Sequence, residues 1–319
     1  MNYFSHNPLN RDFEARTDAA QQTHLWNHPQ ARIILIHDSL NLFVQQEDSI
    51  TAVLLPREEA EVLEPVAKAK VFLGVADEVP YFALGFEKHP DVLAKYPKTA
   101  SYLFRDLKDV ALQLPQEQSA ILAYARAMVH WHLGHHFCAN CGAPTYNIEA
   151  GHVRQCSNAD CGKLHFPRTD TAVIMLISEG DACLLARQAT WPKSRYATLA
   201  GFLEPGETLE QAVAREAMEE TGVQLASITY HSSQPWPFPA SVMAGFMATA
   251  SSRSLAVNYN EMEDARWFTR QEIADGLQQG TFLLPPQVSI SYRLIRDWYN
   301  AAPGHQLEEV MQGLPERNL

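Results

Sequence analysis

Two clusters in this 319-residue chain carry residue types that do chemistry at spacings the chemistry needs. The first is acidic. Between Gly201 and Val223 lie Glu204, Glu207, Glu210, Glu216, Glu219 and Glu220, with Arg215 among them. Thr208 with Gln211 three residues on fits a capping box, and Gly222 fits a C-terminal stop, so the spacing predicts a helix of about three and a half turns between them. At 100° per residue, with Leu209 at zero, Val213 falls near about 40° and Ala212 near about 300°, which marks an apolar stripe. Glu216 and Glu220 fall at about 340° and about 20°, inside that stripe, with Glu219 at its edge. Two unpaired carboxylates there would cost several kcal/mol each, and like charges at i, i+4 repel. A bound cation cluster removes both penalties. A solvated acidic face is the plainer alternative, but it would turn Leu209 and Val213 to water as well.

The second cluster is Cys138-x2-Cys141, a spacer of 14 residues, then Cys156-x4-Cys161. Four thiolates so spaced can close a tetrahedral zinc site, and the glycine after each pair suits a tight knuckle. With four protein ligands no position is left for water, so this Zn2+ is expected to be structural. Disulfides are the alternative for the cysteines. His130, His132, His135 and His136 stand close enough in sequence to substitute as ligands, although packing or surface roles are expected for them. Cys183 sits in an apolar run and reads as core.

A third segment is Ser233-Gln234-Pro235-Trp236-Pro237-Phe238-Pro239-Ala240-Ser241. Taken alone, its alternating prolines describe a stiff extended surface loop that presents two aromatic rings.

The elements that must position these residues fall into three stretches. Up to about residue 115, short β-type runs (Arg32–Ile36, Thr51–Leu55, Lys70–Gly74, Tyr81–Leu84) alternate with polar turns, which predicts a sheet-rich first domain without a chemical motif. Glu117–Trp131 is rich in helix formers and reads as a buried connecting helix that leads into the cysteines. From Thr171 onward, strands (Ala172–Ile177, Val242–Met247) flank the acidic helix, and helical segments near Gln271–Gln279 and Ser289–Tyr299 follow, which is an α/β pattern. The composition, 46% hydrophobic with a net charge of -12, suits packed cores and argues against holding nucleic acid mainly by a broad basic surface, while leaving room for a local basic pocket. An acidic protein acting on a polyphosphate would need bound cations to screen it. No run approaches the ~20 apolar residues of a membrane helix, and the start of the chain lacks the pattern of a signal peptide, so a cytoplasmic protein with no membrane partner is expected.

The acidic segment resembles the signature box of the Nudix hydrolases, with Gly201, Glu207, Arg215, Glu216, Ala217, Glu219, Glu220, Gly222 and Val223 in register. Its seven fixed polar or glycine positions arise by chance at on the order of 10^-8 per start, so coincidence is set aside. The proline loop, the four-cysteine ribbon, Asn7–Arg11 and Phe166-Pro167-Arg168 resemble the NADH pyrophosphatase branch of that family. The resemblance implies a Nudix α/β/α sandwich with a mixed sheet over residues 169–319, preceded by a sheet-rich N-terminal domain (1–133) and a zinc ribbon (134–168). It also implies metal-dependent hydrolysis of the pyrophosphate of NADH or NAD+ to nicotinamide mononucleotide and AMP, with NAD-capped RNA 5' ends as further substrates. Mg2+ or Mn2+ would be held by Glu216, Glu220, Glu261 and the carbonyl of Ala200. Glu219 would be a further ligand or the base, and Arg215 would brace Glu207. Gln234, Pro235, Trp236, Pro237, Phe238, Pro239, Ala240 and Ser241 would line the dinucleotide site, with Phe202 stacked on the nicotinamide and Ser291 touching substrate. Phe166 would help from the neighbouring subunit of a homodimer. A hydrolase for ADP-ribose or dinucleoside polyphosphates keeps the same chemistry. A non-catalytic nucleotide sensor would be expected to lack box glutamates and to carry a basic helix.

Overall fold

The computed structural model describes residues 1–47, 49–87 and 102–314. The chain divides into two compact units, one of Phe4–Thr169 with Trp236–Ala240 and the other of Met1–Tyr3, Asp170–Pro235 and Ser241–Leu319.

The first unit begins with two short helices, α1 (Phe13–Thr17) and α2 (Ala19–Trp26), capped by the side chains of Asp12 and Asp18. Neither was expected from the sequence, because Ala15 and Trp26 are their buried residues and the apolar period is too weak to read. Strands β1 (Arg32–His37), β2 (Leu40–Gln46), β3 (Ser49–Ala52) and β4 (Leu55–Pro56) follow, then helix α3 (Arg57–Ala60). The single run expected over 51–55 is two strands. β3 pairs with β2, whereas Leu55 pairs with Ile33 of β1, so the chain changes neighbours between them. Strands β5 (Ala69–Ala76), β6 (Val79–Phe86) and β7 (Tyr102–Arg105) complete a sheet that is seven-stranded among the described residues, with a central path β3-β2-β1-β6-β5. β1 and β6 are parallel. Phe72, Phe82, Leu84 and Phe86 pack with Trp26, Ile33 and Leu35 into its core.

Helix α4 (Leu107–Val110) precedes α5 (Gln116–Gly134), the connecting helix expected from the sequence. Its buried residues run from Ser119 to His132 and include Arg126. A three-stranded sheet, β8 (Thr145–Ile148), β9 (Val153–Cys156) and β10 (Leu164–His165), then carries the cysteines.

The second unit is built on β11 (Asp170–Glu179), β12 (Ala182–Arg187), β13 (Leu199–Phe202), helix α6 (Leu209–Thr221), β14 (Leu225–Trp236), β15 (Ser241–Ala250), β16 (Asp264–Thr269), and helices α7 (Arg270–Gln279), α8 (Ile290–Asn300) and α9 (Leu307–Met311). Its sheet runs β14-β15-β11-β12-β16, with β13 on β11, and is mixed, since β11 and β15 are parallel while β11 and β12 are antiparallel. The two-residue period of β11 divides the core. Val173, Met175 and Ile177 face Ala212, Val213 and Ala217 of α6 on one side. Ile174 and Leu176 face Ile273, Leu277, Ile290, Leu294 and Trp298 of α7 and α8 on the other. The result is an α/β/α sandwich. No helix among the described residues is long and apolar enough to cross a membrane.

Candidate active site and metal centres

Helix α6 starts with both bonds of the capping box in place: the Thr208 hydroxyl accepts from the Gln211 N–H, and the Thr208 N–H donates to the Gln211 side chain. It ends on Gly222 in the left-handed region. Ala212, Val213, Ala217 and Thr221 bury its inner face, and Glu216 and Glu220 are buried with them. Ala214 and Met218, on the other side, are exposed. The solvated-face alternative is therefore overturned.

Three features gather the carboxylates. Strand β13 pairs Gly201 with Val173 and Ala200 with Ile174, and Gly201 lies against Glu216 in the second half of the helix. A Cβ at Gly201 would overlap the Glu216 carboxylate, so that position admits only glycine if the carboxylate is to stay. Arg215 donates from Nε and Nη2 to both oxygens of Glu207 (2.7 and 3.0 Å), from Nη1 to Glu216 (2.8 Å) and Glu219 (3.0 Å), and from Nη2 to the Phe202 carbonyl (2.9 Å). All five of its donors are thereby engaged. The Arg215 guanidinium holds the Glu207 carboxyl below its usual range, helped by the Glu204 N–H. The guanidinium itself, bonded to Glu207, Glu216 and Glu219, is held charged more firmly than an ordinary arginine.

Glu261 reaches the same place from a distant turn. The Asn258 N–H donates to the Glu220 carbonyl (2.9 Å), and the Asn258 side chain donates to the Glu261 carboxylate (3.1 Å). Asn258 was not singled out in the sequence, where nothing distinguishes it from a surface asparagine. Burial, then the charges of Glu216, Glu261 and Glu219, push the Glu220 carboxyl up to about 8. Its Oε2 is buried and has no hydrogen-bond partner. A carboxyl so placed either keeps a proton or faces a cation. The residues therefore fit a divalent metal, and the carbonyl-bearing Ala200 is exposed beside them.

The other residues singled out in the sequence are distributed differently. Phe202 is 61% exposed, free to meet a flat ligand. The Gln234 side chain, placed on substrate by the resemblance, is instead fully buried. It donates to the carbonyls of Tyr3 (3.1 Å) and Val288 (2.8 Å) and accepts from the Ile290 N–H (2.8 Å), so it braces the entry to α8. Ser291 is buried too, its hydroxyl accepting from the backbone and side chain of Thr198. Pro235 and Pro239 are exposed, whereas Pro237 is buried. The reading of this segment, taken alone, as a stiff extended surface loop holds only in part, since Trp236 and Phe238 are half-buried. β14 extends through Trp236, and within the first unit Trp236 and Phe238 pack on each other (5.0 Å between ring centroids) and on Phe4 (6.3 and 5.8 Å). The Ala240 and Ser241 side chains are half-buried. Phe166, in the first unit, is 63% exposed.

In the ribbon, the Sγ atoms of Cys138, Cys141, Cys156 and Cys161 lie within 4.8 Å of one another, and none forms a disulfide. Gly142 and Gly162 turn the two knuckles at φ of 75° and 55°. The Asn140 N–H points at Cys138 Sγ (3.4 Å) and its side-chain amide at Cys161 Sγ (3.5 Å), donors that favour thiolates and so suit a metal. His165 of β10 brings its Nε2 within 3.3 Å of Cys138 Sγ, whereas the four histidines singled out in the sequence have other partners, His136 meeting the Glu87 carboxylate (3.5 Å). The His132 Nε2–H donates to the Gly151 carbonyl (2.7 Å) while Nδ1 accepts from Arg154. His135 bonds the Trp131 carbonyl, and His130 lies against the Ser39 hydroxyl.

A loop and helix that gather glutamates at the edge of an α/β/α sandwich, Arg215 bracing them, define a hydrolase of the Nudix class. Residues 167–288 match the NUDIX domain, residues 30–131 the NADH pyrophosphatase-like rudimentary NUDIX domain, and residues 135–166 the NADH pyrophosphatase zinc ribbon domain. The chain is 35% identical to the NAD-capped RNA hydrolase NUDT12 of Macaca fascicularis, over 95% of this chain and 74% of that protein. It is 38% identical to the human mitochondrial NAD(P)H pyrophosphatase NUDT13 (61% of this chain, 59% of that protein) and 39% identical to the NAD-capped RNA hydrolase NudC of Mycobacterium bovis (60% and 64%). The chain belongs to the NADH pyrophosphatase branch of the Nudix hydrolase family. Membership carries dependence on a divalent metal.

Proposed function

We propose that this enzyme hydrolyses the pyrophosphate of NADH and NAD+ to nicotinamide mononucleotide and AMP, and that the same site removes NAD caps from RNA. The observation that carries the chemistry is the buried, unpartnered oxygen of Glu220 with Glu216, Glu219 and Glu261 around it. The names of the relatives, which act on NAD(P)H or NAD-capped RNA, supply the substrate class.

In this reading Glu216, Glu220, Glu261 and the Ala200 carbonyl would hold Mg2+ or Mn2+. Such a cation lowers the pKa of water and neutralises charge on the phosphates. Water adds to one phosphorus as the bridging P–O bond breaks. Glu219 is exposed, anchored through one oxygen by Arg215, and is the base that takes the proton of the water. Arg215 and Glu207 fix the loop on which Phe202 is displayed. Phe202 stacks on the nicotinamide, and the segment from Pro235 to Ser241 lines the rest of the dinucleotide site, with the buried Gln234 and Ser291 as supports that do not touch substrate.

The four cysteines hold one structural Zn2+. Five unpaired thiols suit a reducing compartment, and we read the enzyme as cytoplasmic. Phe137, Tyr146, Leu164 and Phe166 expose apolar area on the ribbon, which a second copy of the chain would cover in a homodimer. Light scattering of purified protein at twice the monomer mass tests that point.

The substrate is tested with NADH, NAD+, ADP-ribose and NAD-capped RNA, products being separated by chromatography. Nicotinamide mononucleotide and AMP should form from the nicotinamide dinucleotides, stop with a chelator and return with Mg2+ or Mn2+. Phe202→Ala and Trp236→Ala should each lower kcat/KM for NADH roughly 10- to 100-fold and affect ADP-ribose less, as the loss of one stacked ring predicts. Equal losses on both substrates would reduce the aromatics to scaffold and leave the substrate open.

A further inference from the structure

Arg126 lies in the middle of α5, in the unit built on the rudimentary domain, and is only 7% exposed. A charge there is costly, since burying an arginine among apolar side chains loses several kcal/mol of hydration unless every donor is met. Its partners are specific. Nε donates to the carbonyl of Pro237 (2.8 Å), 111 residues away in sequence, and Nη1 donates to the carbonyl of Ser39. Asp106 lies 3.7 Å from Nη1, and the guanidinium sits 4.6 Å from the centroid of the Phe238 ring. Phe4 packs on both Trp236 and Phe238. Trp236–Ala240 is thus gripped at a backbone carbonyl by Arg126, while the Phe238 ring meets the guanidinium and Phe4.

We propose that Arg126 is a positioning residue for substrate selection: it holds Trp236–Ala240 in the one shape that accepts a nicotinamide dinucleotide. A planar fork that meets two carbonyls and a ring face at once fixes both the path of the backbone and the tilt of the ring. An ammonium group, a point charge on a flexible stem, cannot do both. A segment ordered before the ligand arrives loses less entropy on binding, so the effect belongs in KM. The rudimentary domain thereby acquires a part in specificity. This inference rests on the reading that Trp236–Ala240 meets the dinucleotide.

The test compares Arg126→Met and Arg126→Lys with Trp236→Ala in the full chain, on NADH and on ADP-ribose, together with hydrogen exchange of the same proteins. Arg126→Met should raise KM for NADH roughly 10-fold, leave kcat within about 3-fold and spare ADP-ribose. Exchange should rise in peptides covering residues 236–240 and stay level in peptides covering Leu209–Thr221. Arg126→Lys should fall between Met and wild type, and it carries the same readouts should the Met variant not fold. Losses by the Arg126 variants that are equal on the two substrates, or absent on both, would overturn the assignment. If Trp236→Ala shifts the preference and the Arg126 variants do not, the role of Arg126 fails while the loop remains the selector. If Trp236→Ala shifts nothing, the loop reading fails and the Arg126 proposal goes with it.

Discussion

Glu220 concentrates the electrostatics of the site in one carboxyl group. Its ordinary pKa is pushed up to about 8 by burial and by Glu216, Glu261 and Glu219. Without metal the folded chain therefore keeps a proton that the unfolded chain releases above about pH 4.5. The stability this group contributes is whole below that pH and declines as pH rises through about 8, by several kcal/mol in all. Glu220→Gln should abolish the decline. Denaturant titrations in chelator at pH 5 and pH 8 should show the variant gaining on wild type at the higher pH, and parallel behaviour would refute the buried-charge account. With Mg2+ present the same variant should lose at least about 100-fold in kcat, since an amide cannot supply the charge the cation needs.

At the scale of elements, α6 and the ribbon differ in what holds them. The helix is set by its ends. Replacing Thr208 by Ala removes one half of the capping box and should cost about 1 kcal/mol, read as a lower melting temperature, with Thr208→Ser close to wild type. The ribbon has little core of its own; Cys138, Val153 and Cys156 are among its few buried apolar side chains. Metal binding should therefore supply much of its folding energy. Protein purified without added zinc should carry one zinc per chain, and Cys141→Ser should lower stability by several kcal/mol. A fully folded, zinc-free chain would contradict this. The helix boundaries at Thr208 and Gly222 and the knuckles were legible because their signals are local, a few residues apart. The two N-terminal helices carried only their capping aspartates as a signal.

Across the molecule, the ribbon is joined to α5 and to the sheet of its own unit through two buried histidines. His132 of α5 donates to the Gly151 carbonyl, and His152 donates to the Phe72 carbonyl of β5 (2.7 Å). Burial, above all, lowers both to about 4, so both are neutral in the folded protein at pH 7. The unfolded chain takes up these protons below about pH 6.5, and the folded chain resists until about pH 4. Stability from this pair is full above pH 6.5 and should fall as pH drops toward 4, by a few kcal/mol for each histidine. Changing His132 to Gln should flatten the acid limb of a stability-versus-pH curve, and an unchanged limb would place the acid sensitivity elsewhere.

The sequence by itself determined the chemistry. The box glutamates, Arg215 and the four cysteines stand at spacings that helices and knuckles enforce locally, so residue type and interval were enough to bring out both candidate metal centres and the α/β pattern around one of them. Tertiary structure alone decided what surrounds them. Glu261 comes beside Glu220 through Asn258, and Gln234 turns inward to brace α8. Trp236 and Phe238, which the prolines alone describe as rings on a stiff surface loop, are half-buried and held by Phe4 and Arg126 from far along the chain. A local signal follows from backbone geometry over a few residues. A buried partner a hundred residues away leaves no trace in spacing, because its position is fixed only when the packed cores bring the segments together.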